Sequence, residues 1–98
     1  MMKINTEKTE LEKKDELCID TVLDTKEGRW LFMRLMEVTG FYQPSFNADP
    51  VKMAYQEGKR AVGQYLLYEL TRTEDRITKK QLAENEYMTE KKILNKEV

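Results

Sequence analysis

The sequence predicts an all-α protein, built on an antiparallel helical hairpin with a third, C-terminal helix and a flexible charged N-terminal arm. Three observations predict it. Apolar residues recur at three- and four-residue spacing through residues 25–39 and 50–71. Each of those stretches opens on cap chemistry, Asp24-Thr25 before the first and Asp49-Pro50 before the second. Between them stand Gly40, suited to the left-handed residue after a helix end, and a proline-containing loop.

Residues 1–16 are mostly Lys, Glu and Thr, with Leu11 the only large apolar residue between Ile4 and Leu17. Such a segment offers little surface to offset the entropy of ordering, so it reads as a frayed or weakly helical arm. Residues 17–72 form the expected hairpin core. Leu17, Cys18, Ile19, Val22 and Leu23 form either a short helix or the entry to a helix over 25–39, in which Leu31, Leu35 and Val38 make an apolar stripe flanked by Phe32, Met36 and Gly28. In the second helix Ala54, Gly58, Val62, Leu66 and Leu70 recur every four residues. Gly58 and Gly63 each cost roughly 1 kcal/mol against alanine inside a helix, which a close approach of another backbone would offset. Residues 73–98 are highly charged but keep Ile77, Leu82, Tyr87, Met88, Ile93 and Leu94. Thr78 with Gln81 has the form of a capping box, so a third helix is expected over 78–94.

The segment Gly40-Phe-Tyr-Gln-Pro-Ser-Phe-Asn-Ala-Asp-Pro50 places three aromatics in a loop of about nine residues without a cationic side chain. Phe41, Tyr42 and Phe46 either fold back to plug the open end of the hairpin or project outward as an anchor for a partner.

The 98 residues allow one domain, with a formal charge of -1 from 17 basic and 18 acidic side chains. This balance gives no reason to expect a basic nucleic-acid surface. There is no histidine, and the single cysteine excludes an internal disulfide. Cys18, among apolar neighbours, reads as a buried small hydrophobe. Ser45 is the only serine and has no histidine to activate it. Carboxylates alternate with lysines as on solvated helix faces, and no phosphate-binding glycine loop or metal-ligand spacing is present. The expectation is therefore no enzyme, no catalytic residue, no cofactor and no metal. No apolar run approaches the roughly 20 residues of a membrane span, and the first residues lack the apolar centre of a signal peptide.

Two further patterns bear on function. Lys26-Glu27-Gly28-Arg29 is echoed by Gln56-Glu57-Gly58-Lys59-Arg60, which reads first as ordinary surface charge and otherwise as Arg29, Lys59 and Arg60 pairing with Glu27 or Glu57 of a neighbouring copy. The segment 79–93 has some apolar and small positions of a helix-turn-helix, but Tyr87 stands where a turn glycine is usual, so one uninterrupted amphipathic helix is expected.

Gly28-Arg29, Leu31, Leu35, Thr39-Gly40, Ser45-Phe46 and Glu57-Gly58-Lys59-Arg60 with Leu66-Leu67 form an ordered series over residues 25–70. In this series the chain resembles a family of small proteins of short-tailed bacteriophages, encoded among virion and DNA-packaging genes. The resemblance implies a phage structural or assembly protein, present in several copies, in the host cytoplasm during assembly and then in the virion. Its expected partners are copies of itself and virion proteins such as portal, tail or internal proteins. The expected contact residues are Arg29, Trp30, Phe41, Tyr42, Phe46, Lys59 and Arg60. The alternatives are a DNA-binding accessory of genome packaging, using Lys79, Lys80, Lys91 and Lys92, or a small modulator of a host protein.

Overall fold

A computed structural model describes residues 7–43 and 48–96, and every regular element among them is an α-helix. There are four: α1 Glu10–Leu23, α2 Lys26–Val38, α3 Pro50–Leu70 and α4 Glu74–Lys96. The second and third lie where the two middle helices were expected, and the fourth lies where the C-terminal helix was expected. The first includes the short helix that the segment from Leu17 offered, but starts earlier, inside the stretch expected to be a frayed or weakly helical arm. Thr9 and Glu12 close a reciprocal capping box, each side chain meeting the other's backbone N–H at 3.1 Å. Lys8 bridges ahead to Glu16 at 2.8 Å. Local capping and the anchoring of Glu16 by α4-linked arginines, described below, order turns that carry almost no buried apolar surface.

The joint between α1 and α2 is built from Thr25. Its hydroxyl donates to the Val22 carbonyl at 3.1 Å and accepts from the Gly28 N–H at 2.9 Å, ending one helix and capping the next. This fold-back brings the Val22 carbonyl so close that a Cβ on Gly28 would lie 1.9 Å from its oxygen. At the other end of α2, Gly40 takes φ 69°, and the N–H groups of Gly40 and Phe41 reach back to the carbonyls of Glu37 and Met36. That is a Schellman ending, and the positive φ requires glycine. Asp49 then caps α3 through the Val51 N–H at 3.0 Å, with Pro50 in the first turn.

α4 starts four residues before the expected position. Thr73 is its cap, accepting from the Arg76 N–H at 3.1 Å, whereas the Thr78 hydroxyl donates back to the Glu74 carbonyl within the helix. The expected Thr78–Gln81 box is thus interior helix. The helix runs unbroken through Tyr87, as expected for a single helix, but its apolar residues are not gathered on one face.

α2 lies at the centre and packs on each of the other three helices. Leu23, Phe32 and Leu70, with Ile19 and Leu66 beside them, join α1, α2 and α3. Met33, Ala83 and Tyr87, with Trp30, join α2 to α4. At about 1.5–3 kcal/mol for each large apolar side chain fully buried, these two small clusters make a modest core. The molecule is flat, 61 × 38 × 18 Å, so most residues lie near a surface. Cys18, expected inside, is exposed. It faces outward on α1 because Ile19 and Leu23 occupy the inward row.

Candidate partner-contact surface

The polar residues that bind helix to helix come first, because they show which charges are available to a partner. Arg76 of α4 is 2% exposed. Its guanidinium donates to Asp20 at 2.7 Å, to the carboxylate and the backbone carbonyl of Glu69 at 3.0 Å each, and to the Glu16 carbonyl at 3.3 Å. Arg72 adds contacts to Glu69 at 3.3 Å and to Glu16 at 3.4 Å. Burial disfavours the charged form of Arg76, but Asp20 and Glu69 outweigh it and leave the guanidinium pKa above its ordinary value.

A second link joins α2 to α4. Arg29 makes a two-pronged contact with Glu86, at 2.7 and 3.1 Å, and caps α1 by donating to the Leu23 carbonyl at 3.0 Å. The hydrogen bond to Glu86 raises the Arg29 pKa, and in return holds the Glu86 carboxyl below its ordinary range. In a third cluster the Tyr87 hydroxyl donates to Glu37 and accepts from Arg34 at 3.2 Å, while Lys91 meets Glu37 at 3.0 Å. Among the described residues no buried side-chain polar atom lacks a partner. No group of three or more His, Cys, Asp or Glu there is arranged to hold a metal ion, and no helix is long and apolar enough to cross a membrane.

The sequence-predicted contact residues fall into separate places. Arg29 is engaged inside the chain, on Glu86. Trp30 is half-buried and tilts against Tyr87, ring centroids 4.8 Å apart. Phe41 is half-buried and packs over Gly63, where an added Cβ would come within 2.7 Å of Phe41. The Arg60 guanidinium lies 5.8 Å from the Phe41 ring. Phe41 therefore plugs, whereas Tyr42 stands edge-on to it and is 58% exposed. Phe46 lies outside the described residues. Lys59 is exposed beside the Tyr55 ring. Of the lysines proposed for nucleic acid, Lys79 is held by Asp24 and Asp75, Lys80 by Glu84 and Lys91 by Glu37, and Lys92 is exposed.

Large apolar side chains also face outward. The α2 stripe of Leu31, Leu35 and Val38 is exposed, because the adjoining row of Phe32, Met33 and Met36 faces the core. On α3 the expected four-residue row divides: Leu70 is buried and Leu66 half-buried, but Ala54, Gly58 and Val62 are open. Beside that row runs one that the four-residue count passes over: Val51, Tyr55, Gly58, Val62 and Tyr65, alternating steps of four and three. The signal for it is the heptad step, which keeps residues on one stripe for longer than steps of four. An open, mostly apolar groove of about 390 Å³ also runs beside the end of α4, lined by Lys26, Glu90, Ile93 and Leu94 among others.

No curated protein and no solved structure matches the chain. The model of the Bbp19-like phage protein family matches residues 19–83, from the middle of α1 to Ala83 of α4. The match contains Asp20, Glu69, Arg72 and Arg76, the exposed α2 stripe and all of α3. It reaches past both ends of the 25–70 stretch on which the phage resemblance was read. The chain therefore belongs to the family of Bbp19-like phage proteins.

Proposed function

We propose that this protein is a non-enzymatic structural or assembly protein of a phage, acting by protein–protein contact and present in several copies. Its partners are other virion proteins of the portal, tail or internal class, first in the host cytoplasm and then in the virion. The observation that carries this reading is the outward apolar surface. Leu31, Leu35 and Val38 are 54%, 40% and 56% exposed, on the helix that otherwise organises the core. Large apolar groups left in water across a helix face mark contact sites more often than solvent-facing accidents. The charges that join the helices are paired within the chain, so those contribute little to recognition beyond specificity at the rim. The DNA-accessory alternative receives less support, since Lys79, Lys80 and Lys91 already meet carboxylates.

Quantitative mass spectrometry of purified particles and of assembly intermediates from infected cells tests it. The chain is expected in several copies per particle or intermediate. Leu35→Glu, on the exposed stripe, is expected to lower that copy number at least about fivefold without changing helicity. Absence of the chain from particles and from every intermediate overturns the reading.

A further inference from the structure

We infer that the outward face of α3 pairs with the same face of a second copy of this chain, the two helices crossing at Gly58. The inference rests on the reading that the protein works by contact between chains, and it names one such contact.

The face is continuous. Val51, Tyr55, Val62 and Tyr65 are 78%, 68%, 53% and 56% exposed, with Gly58 between them and Ala54 and Ala61 alongside. None of these seven residues is charged, in a chain that is 36% charged. Charges stand only at its edge, with Lys59 5.5 Å from the Tyr55 ring and Glu57 beside Gly58. Along residues 50–59 of α3 only Met53 is even half-buried. Contact with the end of α2 begins further on, where Gly63 meets Thr39 and Phe41. An uncovered helical overhang of this length is marginal in water by itself, so tertiary or quaternary contact has to support it.

Gly58 identifies the occupant. Gly28 and Gly63 have reasons inside the chain to lack a side chain, since a Cβ at either would overlap a neighbour. Around Gly58 a Cβ would meet nothing within 4 Å, yet glycine there costs the helix about 1 kcal/mol. A second helix passing over that point supplies the missing reason. The face also carries both halves of a two-fold contact. Ala54, Gly58 and Ala61 form a shallow saddle at its centre, and Tyr55 and Tyr65 rise on its flanks. When two copies meet about an axis through Gly58, the tyrosines of each rest beside the saddle of the other, which is the self-complementarity an isologous interface requires.

The surface area agrees with this occupant. A compact monomer of this 11.7 kDa mass exposes about 5,900 Å², and the chain exposes 7853 Å². Its radius of gyration is 16.8 Å, against about 12.6 Å for a compact domain of this length. The excess, about 2,000 Å², is spread over the whole flat molecule, and it exceeds the roughly 800 Å² that each partner of a standard-size interface buries.

Sedimentation equilibrium of the purified full chain is the test, with two sets of variants. The wild type is expected at twice the monomer mass in the micromolar range. Val62→Glu, at an exposed position, is expected to weaken pairing at least tenfold with unchanged helicity. In a Cys18→Ser background, Gly58→Cys is expected to cross-link two chains under mild oxidation, whereas Gln64→Cys, also exposed but on another side of α3, is not. A wild type that stays monomeric overturns the inference, as does pairing indifferent to Val62→Glu or cross-linking equal at 58 and 64. A monomer still incorporated into particles would overturn this contact alone. A dimer absent from all particles and intermediates would overturn the proposed function and leave the contact standing.

Discussion

Arg76 grips Glu69 twice, once at the carboxylate and once at the backbone carbonyl, both at 3.0 Å. The second grip is at the end of α3, where carbonyls lack helical partners, so one guanidinium both neutralises a buried carboxylate and caps a helix. Asp20 and the Glu16 carbonyl bring α1 to the same side chain. Three helices thus meet on one residue that is 2% exposed.

Arg76→Ala leaves Glu69, itself 6% exposed, without its main cation and frees two backbone carbonyls. Removing one member of a buried pair costs about 3–5 kcal/mol, a large fraction of the stability of a small domain. Arg76→Lys keeps the charge but not the fork, and is expected to recover less than half of that loss. Urea unfolding followed by circular dichroism measures both. A loss below about 1 kcal/mol for Arg76→Ala would mean that Arg72 alone satisfies Glu69.

That junction was not legible in the sequence, and the reason is physical. Arg76, Glu69 and Asp20 stand among many charged residues, and nothing local marks these three as the ones taken out of water. Only the fold brings residues 56 positions apart to 2.7 Å. The cap signals were legible because their chemistry is local: Thr25, Gly40 and Asp49-Pro50 act within four residues of themselves. The first turns of α1 were not legible because residues 10–16 offer little apolar surface, and their order comes from the Thr9–Glu12 box and from Arg72 meeting Glu16. The α2 stripe was visible as a stripe, but spacing alone does not say which of two adjacent apolar rows turns inward. Here the larger Phe32 and the two methionines do, and Leu31 and Leu35 face out.

The glycines give a sharp contrast, best measured in the Val62→Glu background so that pairing between copies does not enter. Gly28→Ala forces a Cβ to within 1.9 Å of a backbone oxygen that Thr25 also holds in place. Neither the carbonyl nor the helix joint can move without breaking the cap, so a loss of about 2 kcal/mol or more is expected. Gly58→Ala meets nothing within the chain and should stabilise it by about 0.5–1 kcal/mol through helix propensity. Denaturant midpoints of the two variants should therefore move in opposite directions. Equal shifts would show that the tight joint between α1 and α2 is not maintained in solution.

Acid should loosen the α2–α4 contact. The Glu86 carboxyl is held below its ordinary value of 4.5 by its hydrogen bond to Arg29, against the opposing effect of burial. Glu37 is held down in the same direction, by the Tyr87 hydroxyl and then by Lys91. A folded-state value below the unfolded one means that the unfolded chain takes up protons first as pH falls. The stabilisation is therefore complete above about pH 4.5 and is lost as pH drops through the lower folded values. Thermal unfolding between pH 7 and pH 3 should show a midpoint that is flat at first and then falls. Glu86→Gln should lower the midpoint at pH 7, because Arg29 loses a charged acceptor while still capping Leu23. The same variant should fall less steeply below pH 4.5, because one linked proton is gone and Glu37 remains. An unchanged acid slope in Glu86→Gln would place the linked protonation elsewhere, and repeating the comparison with Glu37→Gln would then assign it to the Tyr87–Lys91 cluster or exclude that cluster as well.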